Sequence, residues 1–311
     1  MSSPPVLEIE GLTKSFRSGL RRRQVRAVHQ LCLLVAPGSV VAIVGPNGAG
    51  KTTTILSILG FLKPESGRIS IFGEPAGSLA ARRRIGFQSE IFHTYPFHTA
   101  RRALDYYGKL SKIHNPGRAA RIDQQLERLG LADAADRKVR TFSKGMIQRL
   151  GLAQALVHEP ELLILDEPTT GLDPEGRKLV AEIILEEKAR GHTVLLSSHI
   201  LSDVERTCDW VVMVRKGKVV LSEDMQRLSR DSDLWEVEVL AGESFRDTLV
   251  AAGFSGIESK AETLVVTCSS KEKRNLLKSL AERGIDIGTV KRSLSSLEDL
   301  YMEHVGSSSD G

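Results

Sequence analysis

The chain is poor in cysteine: its 311 residues hold three, Cys32, Cys208 and Cys268, set far apart. With no C-x-x-C pair and no histidine at zinc-ligand spacing, neither a disulfide framework nor a structural metal site is expected, and a reducing cytosol is the simplest compartment. Long apolar runs are also missing. No window approaches the ~18 consecutive apolar residues of a membrane span, and Met1-Ser2-Ser3-Pro4-Pro5 lacks the pattern of a secretory signal. Charge of one sign is scarce, since 43 basic residues face 39 acidic ones for a net +4. That mild excess suits anionic ligands or a membrane surface but falls short of the footprint of a nucleic-acid binder. With 27 glycines and 11 prolines the chain is neither collagenous nor disordered, and 41% hydrophobic with 26% charged residues is a globular composition. At roughly 150 residues per domain the length suits about two compact units.

Residues 6–16 and 25–35 alternate as two antiparallel strands joined by a basic loop, Arg17 to Arg23. The run Val40-Val41-Ala42-Ile43-Val44 is continuously apolar and β-branched, as in a parallel strand buried on both faces, and a glycine-rich turn leads from it into a helical stretch, 52–62. A second strand pair is expected around 67–72 and 84–87, followed by a mostly helical region over 99–131. Short apolar strands at 162–165, 193–197 and 210–214 alternate with helical patterns such as 179–188, which implies a parallel α/β sheet. The polar stretch Ser229-Arg230-Asp231-Ser232-Asp233 reads as a boundary. Beyond it the pattern restarts: strands at 235–240 and 263–268, helices at 243–252, 271–283 and 294–303, then a solvated tail from Gly306.

Gly45-Pro46-Asn47-Gly48-Ala49-Gly50-Lys51-Thr52 matches G-x-x-x-x-G-K-[ST], a phosphate-cradling loop. Glycines are needed because the backbone must curl until several N–H groups point at phosphate oxygens. The helix after Gly50, with Thr53 in its first turn, adds the positive end of its dipole; Lys51 supplies a charge for the outer phosphates and the Thr52 hydroxyl can ligate Mg²⁺. The strand 162–165 ends in Asp166 and Glu167, a pair suited to metal-assisted phosphoryl transfer: Asp166 organises the cation and Glu167 faces the attacking water. The plainer alternative is that both cap the turn at Pro168.

These motifs resemble those of the ATP-binding cassette ATPases, the energy-coupling subunits of ABC transporters. Thr141 to Leu150, containing Ser143-Lys144-Gly145-Met146, stands in the place of that family's L-S-G-G-Q motif; Gly171-Leu172-Asp173 looks like its D-loop and Ser197-Ser198-His199 like its switch histidine. The resemblance covers about residues 6–225. It implies an α/β P-loop NTPase cassette over 1–230, with a RecA-like parallel sheet core, an antiparallel β subdomain and a helical subdomain at about 91–150. A small C-terminal α/β accessory domain, 231–311, follows.

The resemblance further implies ATP and Mg²⁺ as ligands and a homodimer in which Ser143 and Gly145 of one copy close on ATP held by the P-loop of the other. Glu167 is then the general base, His199 contacts the γ-phosphate beside Lys51, and Asp173 links the two composite sites, although Asp173-Pro174 is also an ordinary helix N-cap with proline at the first helical position. Phe16 stands where the family stacks a ring on adenine; the alternative is an ordinary strand residue. His199 by itself reads as a surface residue. Two departures stand out. Lys144 and Met146 replace family residues in the signature, a variant familiar from single cassettes that pair with exporter-type permeases. At the Q-loop either Glu90 or the nearest glutamine, Gln88, could serve as a metal ligand with Thr52 and Asp166, and spacing favours Glu90.

The implied partners are a second copy and a separately encoded transmembrane permease, with the chain peripheral at the cytoplasmic face of the membrane and no nucleic acid expected. The aromatic segment Phe92 to Phe97 with Ala100 to Tyr107 is suited to receive the permease's coupling helix, or to pack within the helical subdomain. Arg17 to Arg26 and Arg82-Arg83-Arg84 face headgroups or the partner, or are solvated loops. The alternative function is a soluble cassette ATPase acting on ribosomes or nucleic acid, which a single cassette with a short stretch between Lys51 and Ser143 fits poorly.

Overall fold

The computed structural model describes residues 4–18, 23–231, 234–260, 263–292 and 297–302. The basic loop at 19–22, with Arg21 and Arg22, and the tail from Gly306 lie outside them. Two compact units divide the chain, Met1–Ser222 and Glu223–Gly311. The division falls before the polar stretch that reads as a boundary, because the first residues of that stretch, Ser229 to Asp231, end a short helix belonging to the second unit.

The first unit opens with β1 (Leu7–Ser18) and β2 (Arg23–Val35), an antiparallel pair. Period-two alternation places Leu31, Leu33 and Val35 inward and leaves Cys32 and Leu34 exposed, as a sheet with one solvated face requires. β3 (Val40–Val44) is buried throughout, and α1 (Lys51–Ile58) follows it. Next come β4 (Ser66–Ile71), β5 (Glu74–Pro75), α2 (Leu79–Arg82) and β6 (Ile85–Gln88). The helical region consists of α3 (Ala100–Leu110), α4 (Gly117–Arg128) and α5 (Lys144–Leu156). β7 (Leu162–Asp166), α6 (Pro174–Ala189), β8 (Thr193–Ser198), α7 (Leu201–Thr207), β9 (Trp210–Arg215) and β10 (Lys218–Asp224) complete the alternation.

The strands form two sheets, β2-β1-β4-β5 and β10-β9-β3-β8-β7-β6. β4 and β6 are therefore not the pair their proximity in sequence suggests: β4 joins β1 antiparallel, while β6 runs parallel to β7. The pairing follows burial. All residues of β7 and β8 are buried, and a strand covered on both faces needs neighbours on both edges. One apolar cluster, including Leu12, Leu31, Ile55, Ile71, Leu162 and Leu195, welds the two sheets together.

The second unit begins with α8 (Met225–Asp231) and builds a sheet from β11 (Leu234–Val239), β12 (Gly256–Lys260), β13 (Thr263–Ser269) and β14 (Ile287–Arg292), in the order β12-β13-β11-β14. Its strand pairs are antiparallel. With α9 (Arg246–Ala251), α10 (Ser270–Glu282) and α11 (Leu297–Tyr301) the chain order runs β-α-β-β-α-β before a last short helix. α10 starts at a capping box between Ser269 and Glu272, and Val237, Val239, Leu264, Val266 and Leu276 are buried in a core separate from the first. β12 and β14 escape sequence reading because short, polar edge strands carry little periodicity.

The cysteines are free thiols, Cys32 exposed, Cys208 and Cys268 buried. Burial pushes the Cys208 thiol up to about 12 and that of Cys268 up to about 11. Titration of the native protein with a disulfide reagent at pH 8 should therefore modify Cys32 alone, and all three cysteines only after unfolding; rapid native labelling of Cys208 would contradict the packing of α7 on the sheet.

Candidate functional site

The phosphate loop is wedged between two strands, which explains its glycines. Gly50 has φ 109°, and a Cβ there would lie 2.3 Å from the Ala27 carbonyl oxygen of β2. A Cβ on Gly45 would lie 2.3 Å from the Val214 carbonyl oxygen of β9. Larger residues would push the loop off its seat, so glycine here reflects both backbone sign and close approach. From this seat α1 carries Lys51 inward: its Nζ donates to the Gly45 carbonyl at 2.7 Å and lies 3.0 Å from Glu167 Oε1, with both side chains buried.

Sheet order then decides which residues meet. β8 runs between β3 and β7, pairing Asp166 with Ser197. Ser197 Oγ donates to Asp166 Oδ1 at 2.6 Å and accepts the Glu167 backbone N–H at 2.9 Å; Thr52 Oγ1 donates to the same Asp166 oxygen at 3.3 Å. Burial drives the Asp166 carboxyl above its usual range, opposed by these two hydroxyl donors and by the Lys51 ammonium. Glu167 leaves the strand at φ 49°, a left-handed conformation that swings its carboxylate away from Asp166 and toward the loop. His199, just past β8, places Nδ1 2.7 Å from Glu167 Oε2, and Thr170 Oγ1 donates to the same oxygen at 3.4 Å.

Above Asp166 and Ser197 opens a cleft of about 660 Å³ that gathers Phe16, Pro46 to Thr53, Glu90, Glu167 and His199; Asp166 reaches its edge only through the Thr52 hydroxyl. Phe16 is 41% exposed at its mouth, with Lys14 Nζ 5.8 Å from the ring centroid. Of the two Q-loop candidates, Glu90 lines the cleft, whereas Gln88 is buried and donates from Nε2 to the Gln148 carbonyl at 3.1 Å. Ser143, Gly145 and Asp173 are not among the cleft residues. Ser143 caps α5, its hydroxyl accepting the Met146 N–H, and Asp173 caps α6 by accepting the Gly176 N–H at 2.8 Å. The plain capping reading of Asp173 is thus realised, and within one copy the signature stands apart from the phosphate loop. Arg84 is likewise structural: it binds Glu161 through Nε and Nη2 and lies 3.5 Å over the Phe72 ring.

The sequence matches the family described as ABC transporter over residues 28–170. It is 36% identical to the bacitracin transport ATP-binding protein BcrA of Bacillus licheniformis, over 98% of this chain and 99% of that one. The chain belongs to the ATP-binding subunits of ABC transporters. Among solved structures, an ATP-binding subunit of an ABC transporter superposes with a TM-score of 0.65 at 31% identity, covering 72% of this chain and 92% of that one. A dimeric cassette captured after hydrolysis with ADP and phosphate shares the fold, at TM-score 0.65 and 23% identity over 70% of this chain and 98% of that one. The cassette thus binds ATP and hydrolyses it to drive transport. No helix among the described residues is long and apolar enough to cross a membrane.

Sequence reading missed Ser197 as a bridge between Asp166 and Glu167, and Ala27 and Thr170 as cleft residues. The motif Ser197-Ser198-His199 points to its histidine; only the register of β8 against β7 reveals the use of Ser197. Ser197→Ala strands the Glu167 N–H and removes a donor from Asp166, so urea unfolding should show a loss of about 1–3 kcal/mol.

Proposed function

We propose that this chain is one half of an ATP-sandwich homodimer that drives a separately encoded permease at the cytoplasmic face of the membrane, in the direction of export. The observation that carries the reading is the convergence of Lys51, Glu167 and His199 on one cleft. Signature residues held outside that cleft, at the N-terminus of α5, support their use on a second copy's nucleotide, where Ser143 Oγ and the first N–H groups of the helix suit a γ-phosphate. Asp173 then stands between the two composite sites. The export direction is supported by the Ser143-Lys144-Gly145-Met146 signature.

In this reading Glu167 acts as general base. His199 and Thr170 hold one carboxylate oxygen, leaving the other to Lys51; outer phosphates that draw the Lys51 ammonium to themselves release that oxygen to take a proton from the attacking water. Phe16 stacks on the adenine ring. The donor set of Thr52 hydroxyl, buried Asp166 carboxylate and Glu90 fits Mg²⁺, which takes few protein oxygens and completes its shell from water and phosphate. Bound there, the cation would supply charge neutralisation at the transferring phosphoryl group.

Lys51→Ala should abolish ATP binding measured by filter retention. Glu167→Gln should bind ATP but lose roughly 10²-fold or more in turnover and accumulate as a dimer on gel filtration; full multiple turnover would remove Glu167 as the base. Tagging the chain, solubilising membranes in mild detergent and identifying co-purifying proteins tests the partner. A multi-span protein that raises the ATPase rate is expected, whereas ribosomal proteins, with the chain absent from membranes, would overturn the transporter reading.

A further inference from the structure

β6 is short, yet it meets two parts of the first unit. Period-two alternation sends Ile85 and Phe87 to one side, where they line a groove of about 1100 Å³ together with the basic residues Arg82, Arg83 and Lys112. Gly86 and Gln88 go to the other side, against α5. Contact on that second side is close. A Cβ on Gly86 would meet the Ala155 carbonyl oxygen, and farther along the same segment a Cβ on Gly151 would stand 2.9 Å from Phe92. A seam this tight makes β6 and α5 one packed body.

Between these two close approaches lies a polar link. Gln88, 1% exposed, donates from Nε2 to the Gln148 carbonyl, and Gln148, 5% exposed, donates from its own Nε2 to the Pro168 carbonyl at 3.3 Å. Pro168 belongs to the turn that follows the acidic pair: the Thr170 N–H donates to the Glu167 carbonyl at 3.2 Å, and the Thr170 hydroxyl donates to the Glu167 carboxylate. The turn bond uses the Glu167 carbonyl and leaves the Pro168 carbonyl to Gln148. Two residues beyond Gln88 the chain delivers Glu90 to the nucleotide cleft. The link therefore runs from the segment of Glu90, across α5, to the turn of Glu167. Stability alone does not account for it. Gln88 buries Oε1 with no hydrogen-bond partner among the described residues, a cost that an apolar side chain of the same length does not carry. What the amides add is direction, since a hydrogen bond fixes one element on another along a set line and apolar contact does not.

We infer that Gln88 and Gln148 are positioning residues for ATP hydrolysis: the two amides fix α5 between β6 and the Glu167–Thr170 turn, and so set the Glu167 carboxylate relative to Glu90 across the cleft. Neither glutamine lines the cleft, so both act through the backbone that carries the acids. The inference rests on the assignment of Glu167 as general base and deepens it. A base displaced by about 1 Å loses up to about 10²-fold in rate while the nucleotide, held by the phosphate loop, binds as before.

The test compares the full chain with Gln88→Met, Gln148→Met and the double variant, methionine keeping the length and volume of glutamine without its donors. Steady-state ATP hydrolysis, ATP affinity and urea unfolding are measured for each. Gln88→Met should unfold at an unchanged or higher urea concentration and bind ATP as the wild type does, with KM unchanged and kcat lowered roughly tenfold. Gln148→Met strands the Pro168 carbonyl and lowers stability, so the stability criterion falls on Gln88→Met. The double variant should turn over no more slowly than Gln148→Met, because both changes cut one link. An unchanged kcat in Gln88→Met would overturn the inference, as would a loss of rate that accompanies a lower urea midpoint in that variant, or losses that multiply in the double variant. The base assignment stands or falls separately, on whether Glu167→Gln retains multiple turnover.

Discussion

The ion pair between Lys51 and Glu167 is the interaction around which the cassette is organised. Both groups are almost wholly removed from water, and a buried charge persists only where its partner and hydrogen bonds are fixed in advance. Fixing them takes three parallel strands. β3 launches the loop that ends in Lys51, β7 delivers Asp166 and Glu167, and β8 between them supplies Ser197 to hold the acidic pair and His199 to hold the base. All three strands end on the same side of the sheet because they are parallel, which is why ligand sites of such sheets lie beyond the carboxyl ends of their strands.

Charge is handled differently at the two surfaces of the first unit. In the nucleotide cleft the cation Lys51 is desolvated and paired, so its charge is reserved for a ligand that can compete with a carboxylate and a carbonyl. At the groove beside β6 the cations are solvated and their carboxylate neighbours few, an arrangement that contributes little to the stability of the fold. The two surfaces share an element: β6 lines the groove through Ile85 and Phe87 and runs on to Glu90 at the cleft. The α5 helix reaches the groove with Gln154 and, nearer its start, accepts the Gln88 amide away from the cleft.

The second unit has a different economy. Its own core and antiparallel sheet make it self-sufficient, and its sheet carries polar pairs such as Glu236 with Lys291. Its chain order was only half legible from sequence: β11, β13 and α10 show clear apolar periodicity, whereas β12 and β14 do not, because edge strands with few inward residues look like loops in a hydrophobicity pattern.

The sequence by itself determined what contiguous residues can encode. The phosphate loop reads directly because anion binding by backbone N–H groups demands glycines at fixed spacing, a lysine and a hydroxyl within eight residues. The buried strand ending in Asp166 and Glu167 reads for the same reason. Tertiary structure alone decided everything that depends on distant segments meeting. Register between β7 and β8 turned Ser197 into the bridge of the acidic pair, burial against α5 removed Gln88 from the cleft and left Glu90 there, and the packing of the helical region on β6 gathered basic residues scattered between Arg82 and His158 into one groove. Local chemistry is written in order along the chain, but which charges become neighbours is set by packing, and packing sums many weak contacts that no short motif records.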